Sequence, residues 1–342
     1  MSQPDLSIVI PTYNRGMLIR YTLESVRRAS NGLNIETIVV DDGSSLPAAD
    51  SLAELGYQPG KIIRQENSGL LFARLTGLAN ASGRHILFLD SDDLVGTEKL
   101  RLQLNAQDLQ NADVSYTDTA QCLISGEYDS LRPVSDQPLP ATKDSSEFFI
   151  TVQPPPHSPI FRTAYLKQIV AQAPFPPSSL YNPVAEIWLY HIAACRPARV
   201  VHVPGPHAII GSHPGVRLTN HWEKLGVASL AVQEAFARTC PPGPQSAWAK
   251  QLVAEKAFAA WRRLPRNFSP EFCSRQLNLW RGLHSKSRFE KLGGRAFAQI
   301  ARILGPVPTG KIFRMHQTAD YSRIRTVEDA ALKQLLTALP PP

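Results

Sequence analysis

An α/β fold with a mostly parallel central sheet, flanking helices and a helical C-terminal region is what this sequence predicts. Three observations carry it. Short apolar, β-branched runs alternate with helix-spaced segments over the first 120 residues; two of those runs end in clustered acids; and helical periodicity dominates after residue 219.

Leu6–Ile10, Thr37–Val40 and His85–Leu89 run on without polar alternation, as strands covered on both faces do. Lys61–Arg64 and Asp113–Tyr116 are shorter strand candidates. Between them, Leu18, Tyr21, Leu23 and Val26 repeat at helical spacing, and so do Leu71, Leu75 and Leu78, with Gly83 placed to end that helix. Thr97 is a candidate cap for a third helix carrying Leu100, Leu104 and Leu109. This strand–helix–strand rhythm implies parallel pairing.

Prolines then cluster, at Pro154–Pro156, Pro174 and Pro176–Pro177, so long loops are expected to cross one face between residues 131 and 215, with a helix near Glu186–Ala194. The best later helices are His221–Arg238, Ser246–Arg263 and Lys286–Leu304. The expected organisation is residues 1–218 as a binding and catalytic unit and residues 219–342 as a basic, mainly helical region.

The chain has 342 residues, 43% of them hydrophobic and 19% charged, the composition of a globular protein rather than of a disordered chain or a membrane bundle. No uncharged stretch escapes Pro, Gly or His long enough to span a bilayer. The four cysteines, at 122, 195, 240 and 273, show neither zinc-type spacing nor a disulfide framework, so a reducing compartment is the default. With no basic leader ahead of a long apolar run, the expected location is cytoplasmic. Charge is unevenly placed: residues 1–215 hold 16 Lys and Arg against 21 Asp and Glu, whereas residues 216–342 hold 20 against 8.

Chemistry is expected where strands end in acids. Val39–Val40 runs into Asp41-Asp42-Gly43-Ser44, and Phe88–Leu89 into Asp90-Ser91-Asp92-Asp93. In an open parallel sheet, ligands bind beyond the carboxyl ends of the strands, so both clusters and the loop Pro11–Arg15 should converge. Gathered carboxylates repel unless a cation or a ligand with donors balances them, and Asp90-x-Asp92 can share a hard divalent ion with substrate phosphates. Taken singly, either cluster reads equally well as helix caps or a solvated turn.

Four ordered segments together, Ser7–Arg15, Ile38–Ser44, Asn67–Gly69 with Ala73–Arg74, and Gly83–Asp93, resemble the signatures of family 2 glycosyltransferases. The resemblance covers roughly the first third of the chain. It implies a GT-A fold, a nucleotide-sugar donor, a divalent metal (Mn or Mg) and inversion at the anomeric carbon. It assigns Pro11, Tyr13 and Asp41 to the nucleotide base and Arg74 to the nucleotide, with Arg15, Asn67 and Ser91 in the same donor-binding set. Asp90 and Asp92 match the DxD motif, Asp92 as the direct metal ligand and Asp90 nearer the ribose or sugar.

Val184–Tyr190 resembles the family's acidic-aromatic segment but departs from its usual Glu-Asp pair. One alignment puts Ile187 where the catalytic Asp is expected, another Val184; Glu186 is the sole acid between Glu147 and Glu223 and hence the candidate base. It reads equally as a helix N-terminal acid. His213-Pro214-Gly215 with Thr219 resembles a later segment that closes near the diphosphate, making His213 a metal or phosphate ligand or simply a structural hydrogen-bond donor.

Within Lys286–Leu304, Phe289, Leu292, Ala296, Ile300 and Ile303 share one helical face and Arg288, Lys291, Arg295 and Arg302 an adjacent one. Such a helix either packs its apolar face on the catalytic unit or lies on an anionic membrane, bringing the enzyme to a glycan or lipid-linked acceptor at the inner face. No aromatic-basic module supports a nucleic-acid partner. The rivals to sugar transfer are phosphoryl transfer through a strand-DxD start at Ile86–Leu94, and a nucleotide-sugar-binding protein that has lost its base.

Overall fold

The computed structural model describes residues 2–57, 59–214, 220–286, 288–316 and 319–341. The first seven elements are β1 (Leu6–Thr12), α1 (Ile19–Ala29), β2 (Ile35–Asp41), α2 (Ala48–Glu54), β3 (Lys61–Arg64), α3 (Leu70–Asn80) and β4 (His85–Phe88). Their strands form a parallel array in the order β3-β2-β1-β4. Every residue of β1 and β4 is buried, which is why neither shows polar alternation. Alternate β1 side chains serve two cores. Leu6, Ile8 and Ile10 pack with Ile19, Leu23 and Val26 of α1, while Val9 packs with Leu71 and Leu78 of α3. Each such side chain contributes roughly 1.5–3 kcal/mol on burial. Gly83 does not end a helix: α3 stops at Asn80, and a Cβ on Gly83 would stand 2.5 Å from the Ser7 amide nitrogen. Its role is close approach to β1.

The chain continues through β5 (Leu94–Val95), α4 (Lys99–Gln110), β6 (Val114–Leu123), β7 (Val134–Ser135), a π-helical turn (Glu147–Val152), β8 (Ile160–Arg162), α5 (Thr163–Ala171), a 3₁₀ turn (Ser179–Val184), α6 (Ala185–Ala194) and β9 (Val200–Ser212). Thr97 is not the cap of α4; Glu98 stands there, and no side chain caps it. The sheet extends as β3-β2-β1-β4-β8-β6-β9-β5, with β7 on β6. Beyond β4 it is mixed, since β8 runs antiparallel to β4 and β6 whereas β9 runs parallel to β6. The proline-rich stretch therefore holds more regular structure than loops alone. β9 carries Pro204, Gly205 and Pro206 in mid-strand, where the β6–β9 register shifts between Thr117 and Thr119.

The C-terminal region is helical: α7 (Trp222–Thr239), α8 (Pro244–Arg263), α9 (Pro270–Leu283), α10 (Phe289–Leu304), α11 (Pro306–Met315), α12 (Tyr321–Ile324) and α13 (Asp329–Thr337). Leu230, Phe236 and Val253 of α7 and α8 share one core with Trp188 and Ile192 of α6 and with Phe148 and Phe149 of the π-turn. The expected boundary at 218/219 lies outside the described residues, and the core is continuous across it. Arg275 of α9 closes a buried two-point salt bridge on Glu234 of α7, at 2.9 and 2.5 Å. The single amphipathic helix expected over Lys286–Leu304 is broken at Gly294 (φ 82°), which rotates the second half. Phe297, Ala298 and Ala301 face inward there, leaving Ile300 and Ile303 exposed, the latter at 85%.

Candidate functional site

β1 lies between β2 and β4, parallel to both, so the carboxyl ends of three strands open on one edge. Thr12 is paired with Asp41 across β1/β2, and the Leu89 amide donates to the Val9 carbonyl at 2.9 Å across β1/β4. Asp41 and Asp90 consequently flank β1 two strand spacings apart, roughly 10 Å. Strand order reverses here, the place where open α/β sheets take ligands.

The β2 end is closed by the protein itself. Asp41, 1% exposed, accepts from the Ser44 amide (2.9 Å), the Ala48 amide at the start of α2 (3.0 Å) and Arg64 Nη1 (2.7 Å). Burial alone would raise its pKa; the Ala48 amide, both Ser44 donors and the Arg64 charge outweigh burial and hold it below the ordinary carboxylate value. Asp42 accepts from Gln65 Nε2 (2.7 Å) and the Ser68 amide (2.9 Å) on one oxygen and from the Gly69 amide (2.8 Å) on the other. Asn14 exchanges two bonds with the next loop: its amide donates to Ser44 Oγ, and its Oδ1 accepts from the Ser45 amide, both at 2.9 Å. The loops after β1, β2 and β3 are thus tied together, with Pro11 buried beneath them, Tyr13 exposed at 49% and Asn67 exposed nearby.

The β4 end is held more loosely. Arg74, almost wholly buried on α3, donates through Nη2 to Asp90 Oδ1 at 2.6 Å and stands 3.4 Å through Nη1 from Glu186 Oε2 at the first turn of α6. Desolvation lowers the Arg74 pKa, but the charges of Asp90 and Glu186 outweigh it and raise it. Asp90 retains 27% side-chain exposure although its carboxyl sits deep in the cleft. Desolvation pushes it above the ordinary value against the pull of Arg74, and Asp93 and Asp92 add repulsion. Asp92 Oδ2 lies 3.0 Å from His213 Nε2. Among the described residues, the carboxylates of Asp90, Asp92 and Glu186 each have one partner, where those of Asp41 and Asp42 each accept three hydrogen bonds.

Residues that sequence reasoning missed hold this half in place. Asp93 Oδ1 accepts from the Gly211 amide at 2.9 Å, and its Oδ2 stands 2.9 Å from Nδ1 of fully buried His157, off the hydrogen-bond line. A Cβ on Gly211 would sit 1.8 Å from the Asp92 carbonyl oxygen, so glycine alone lets β9 approach the acidic turn. Asn182 Oδ1 accepts from the Leu71 amide (3.1 Å) while its Nδ2 donates to the Ser68 carbonyl (3.0 Å), fixing the start of α3, which carries Arg74, against the turn before α6, which carries Glu186. Asn182 directly before Pro183 is the one local signal of that turn.

The predicted residues Asp90, Arg74 and Glu186 are in direct contact, and Asp92 and His213 form a second contact on the same acidic turn. Ser91 is buried between them, and Arg15 opens the turn into α1 through its carbonyl. Gly215 and Thr219 lie outside the described residues. Among the described residues no three His, Cys, Asp or Glu side chains form a ready metal cage. What the donor set suits is a hard cation taking one or two carboxylates and completing its shell with ligand oxygens.

Residues 7–167 match glycosyl transferase family 2. The minor teichoic acid biosynthesis protein GgaA of Bacillus subtilis is 44% identical over 102 residues, spanning 28% of this chain and 23% of that protein. An uncharacterized glycosyltransferase of Rickettsia conorii is 31% identical over 135 residues, 37% of this chain and 21% of its own. The chain thus spans about a fifth of the length of these curated relatives. S. aureus TarS 1-349, solved in complex with UDP-GlcNAc, superposes with a TM-score of 0.61 at 17% identity over 95% of this chain and 93% of that one. A mannosyltransferase of Pyrobaculum calidifontis in complex with GDP-Man and Mn2+ gives 0.50 at 13% identity over 93% and 89%. These likenesses establish the fold.

Proposed function

From the premise that residues 7–167 belong to glycosyl transferase family 2, we propose that the chain transfers a sugar from a nucleoside-diphosphate donor to a hydroxyl acceptor, with inversion, in the assembly of a polysaccharide or surface glycan. The observation that carries this is the Arg74 bridge. It sets a carboxylate of the DxD turn and the carboxylate at the start of α6 on one guanidinium, at 2.6 and 3.4 Å, in the cleft where the strand order reverses.

In this reading Pro11, Tyr13, Arg15, Asp41 and Asn67 line the base and ribose end. Arg74, Asp90, Ser91 and Asp92 face the diphosphate and sugar. Arg74 Nε is buried with no hydrogen-bond acceptor among the described residues, which leaves a donor for a phosphate oxygen. Asp92, with Asp90 and His213 beside it, would hold Mn or Mg, which offsets the negative charge developing on the departing phosphate. Glu186, with one oxygen outside the Arg74 contact, takes the acceptor proton as the new glycosidic bond forms. Phosphoryl transfer is not favoured, since the DxD turn follows the fourth strand of a sheet whose solved neighbours bind nucleotide sugars.

The acceptor in this reading is a glycan or lipid-linked sugar at the inner face of a membrane. No described helix is long and apolar enough to cross a bilayer. The outward Ile300, Ile303, Leu304, Ile312 and Met315, among Arg295, Arg302 and Lys311, instead offer aliphatic contact flanked by cations for an anionic surface. The direct test incubates the protein with a panel of nucleotide sugars and Mn, with and without acceptor. Acceptor-dependent release of nucleoside diphosphate supports transfer; donor binding without turnover supports a silent binding protein; absence of both binding and release rejects both readings.

A further inference from the structure

Away from the cleft, two cysteines that sequence spacing leaves unrelated meet in the core. Cys195 follows the last turn of α6 and Cys240 the last turn of α7, 45 residues on. Both are under 10% exposed, and their sulfurs are 3.1 Å apart in hydrogen-bond contact. That is closer than two unbonded sulfurs usually pack and about 1 Å beyond a disulfide bond. Cys122 and Cys273, also free thiols, have no sulfur neighbour among the described residues.

We propose that Cys195 and Cys240 are a redox-active pair that closes to a disulfide under hydrogen peroxide and staples α6 to α7. With Cys195 donating, the hydrogen bond holds the Cys240 thiol down at about 7 against the opposing pull of burial, while the same contact and burial push Cys195 up. Either sulfur can donate across the contact, and the attack is assigned to Cys240 on its position beside the surface. Cys240 immediately precedes the exposed Pro241–Pro244 segment, which gives a small oxidant a short path. Its sulfur displaces hydroxide from peroxide, breaking the O–O bond and forming a sulfenic acid. The Cys195 sulfur then attacks that sulfur and water leaves. Two thiols lose two electrons and two protons, and one peroxide becomes two waters. Glu186 begins the helix that Cys195 ends, so the bond would fix the helix carrying the candidate base to the C-terminal region. The pairing does not depend on the transfer reading.

The test uses the full chain, reduced and then treated with stoichiometric peroxide, followed by intact-mass measurement and peptide mapping without reductant. The expected result is loss of two hydrogens, a Cys195–Cys240 linked peptide, and a melting temperature higher by roughly 3–8 °C that dithiothreitol reverses. Cys195→Ser and Cys240→Ser should each abolish the linked peptide and the shift. Four thiols remaining free, stable sulfinic acid on Cys240 without a link, or pairing through Cys122 or Cys273 would each overturn the proposal; the wild-type measurement stands even if a variant folds poorly.

Discussion

Two strands on either side of β1 end in paired acids, and the protein treats the two pairs differently. Asp41 and Asp42 each accept three hydrogen bonds from backbone amides and neighbouring side chains, and both are almost fully covered. Asp90 and Asp92 have one side-chain partner each among the described residues, keep 27% and 20% of their side-chain exposure, and crowd like charge around a single arginine. Carboxylates whose lone pairs are consumed build walls. Those with oxygens to spare, and with mutual repulsion to relieve, await a cation or a ligand with donors. In the proposed reading the first pair frames the cleft, and the second, with Glu186, performs its chemistry.

If that division holds, substitutions at the β4 end should cost activity and those at the β2 end stability. Glu186→Gln should produce the largest effect, lowering transfer by roughly 10²–10⁴-fold while donor affinity stays nearly intact; steady-state kinetics beside donor titration checks it, and undiminished turnover moves the base elsewhere. Asp92→Asn comes next, with nucleoside-diphosphate affinity falling about 10–100-fold in Mn and becoming indifferent to Mn, as calorimetry would read. Asp42→Asn, in contrast, should destabilise the fold by about 1–3 kcal/mol, because a buried amide cannot accept three donors on one oxygen; chemical denaturation measures it.

Asp41 sharpens the contrast through pH. Its folded-state pKa is depressed, so its stabilisation is fully present above the unfolded value, about 4, and is lost as pH falls through the lower folded value. The melting difference between wild type and Asp41→Asn should therefore be widest at neutral pH and shrink below about 4. The smallest effect lies outside the cleft: Arg295→Glu with Arg302→Glu should leave donor binding unchanged while reducing sedimentation with anionic phosphatidylglycerol vesicles at low salt, and no loss would remove the membrane contact.

Much of this was legible in the sequence wherever local pattern and tertiary burial agree. β1, β2, β3 and β4 lie where their apolar runs stand; β1 and β4, covered on both faces, need no polar alternation, whereas β3 is a largely exposed edge strand. β8 and β9 were hidden, the first by its three-residue length and the second by two prolines and a glycine. The acids Asp41, Asp90 and Asp92 were visible as strand-end clusters; the residues that brace the turns around them, His157, Asn182 and Gly211, were not. Each meets its partner only through a contact more than 50 residues distant in the chain, which no local spacing encodes. The outward turn of Ile303 was also unreadable, since it follows from a backbone break at Gly294 rather than from helical periodicity.

The central claim is that the acids at the carboxyl edge meet over a cation that grips a sugar-bearing diphosphate. Thermal-shift titration with UDP-, GDP- and dTDP-sugars, each with Mn and with Mn chelated, tests it most directly, because ligand at about 100 times its dissociation constant adds roughly 2.7 kcal/mol. At least one donor should stabilise wild type in Mn and lose that effect on chelation and in Asp92→Asn. Stabilisation by none of them, or by one that persists unchanged in both controls, would contradict it.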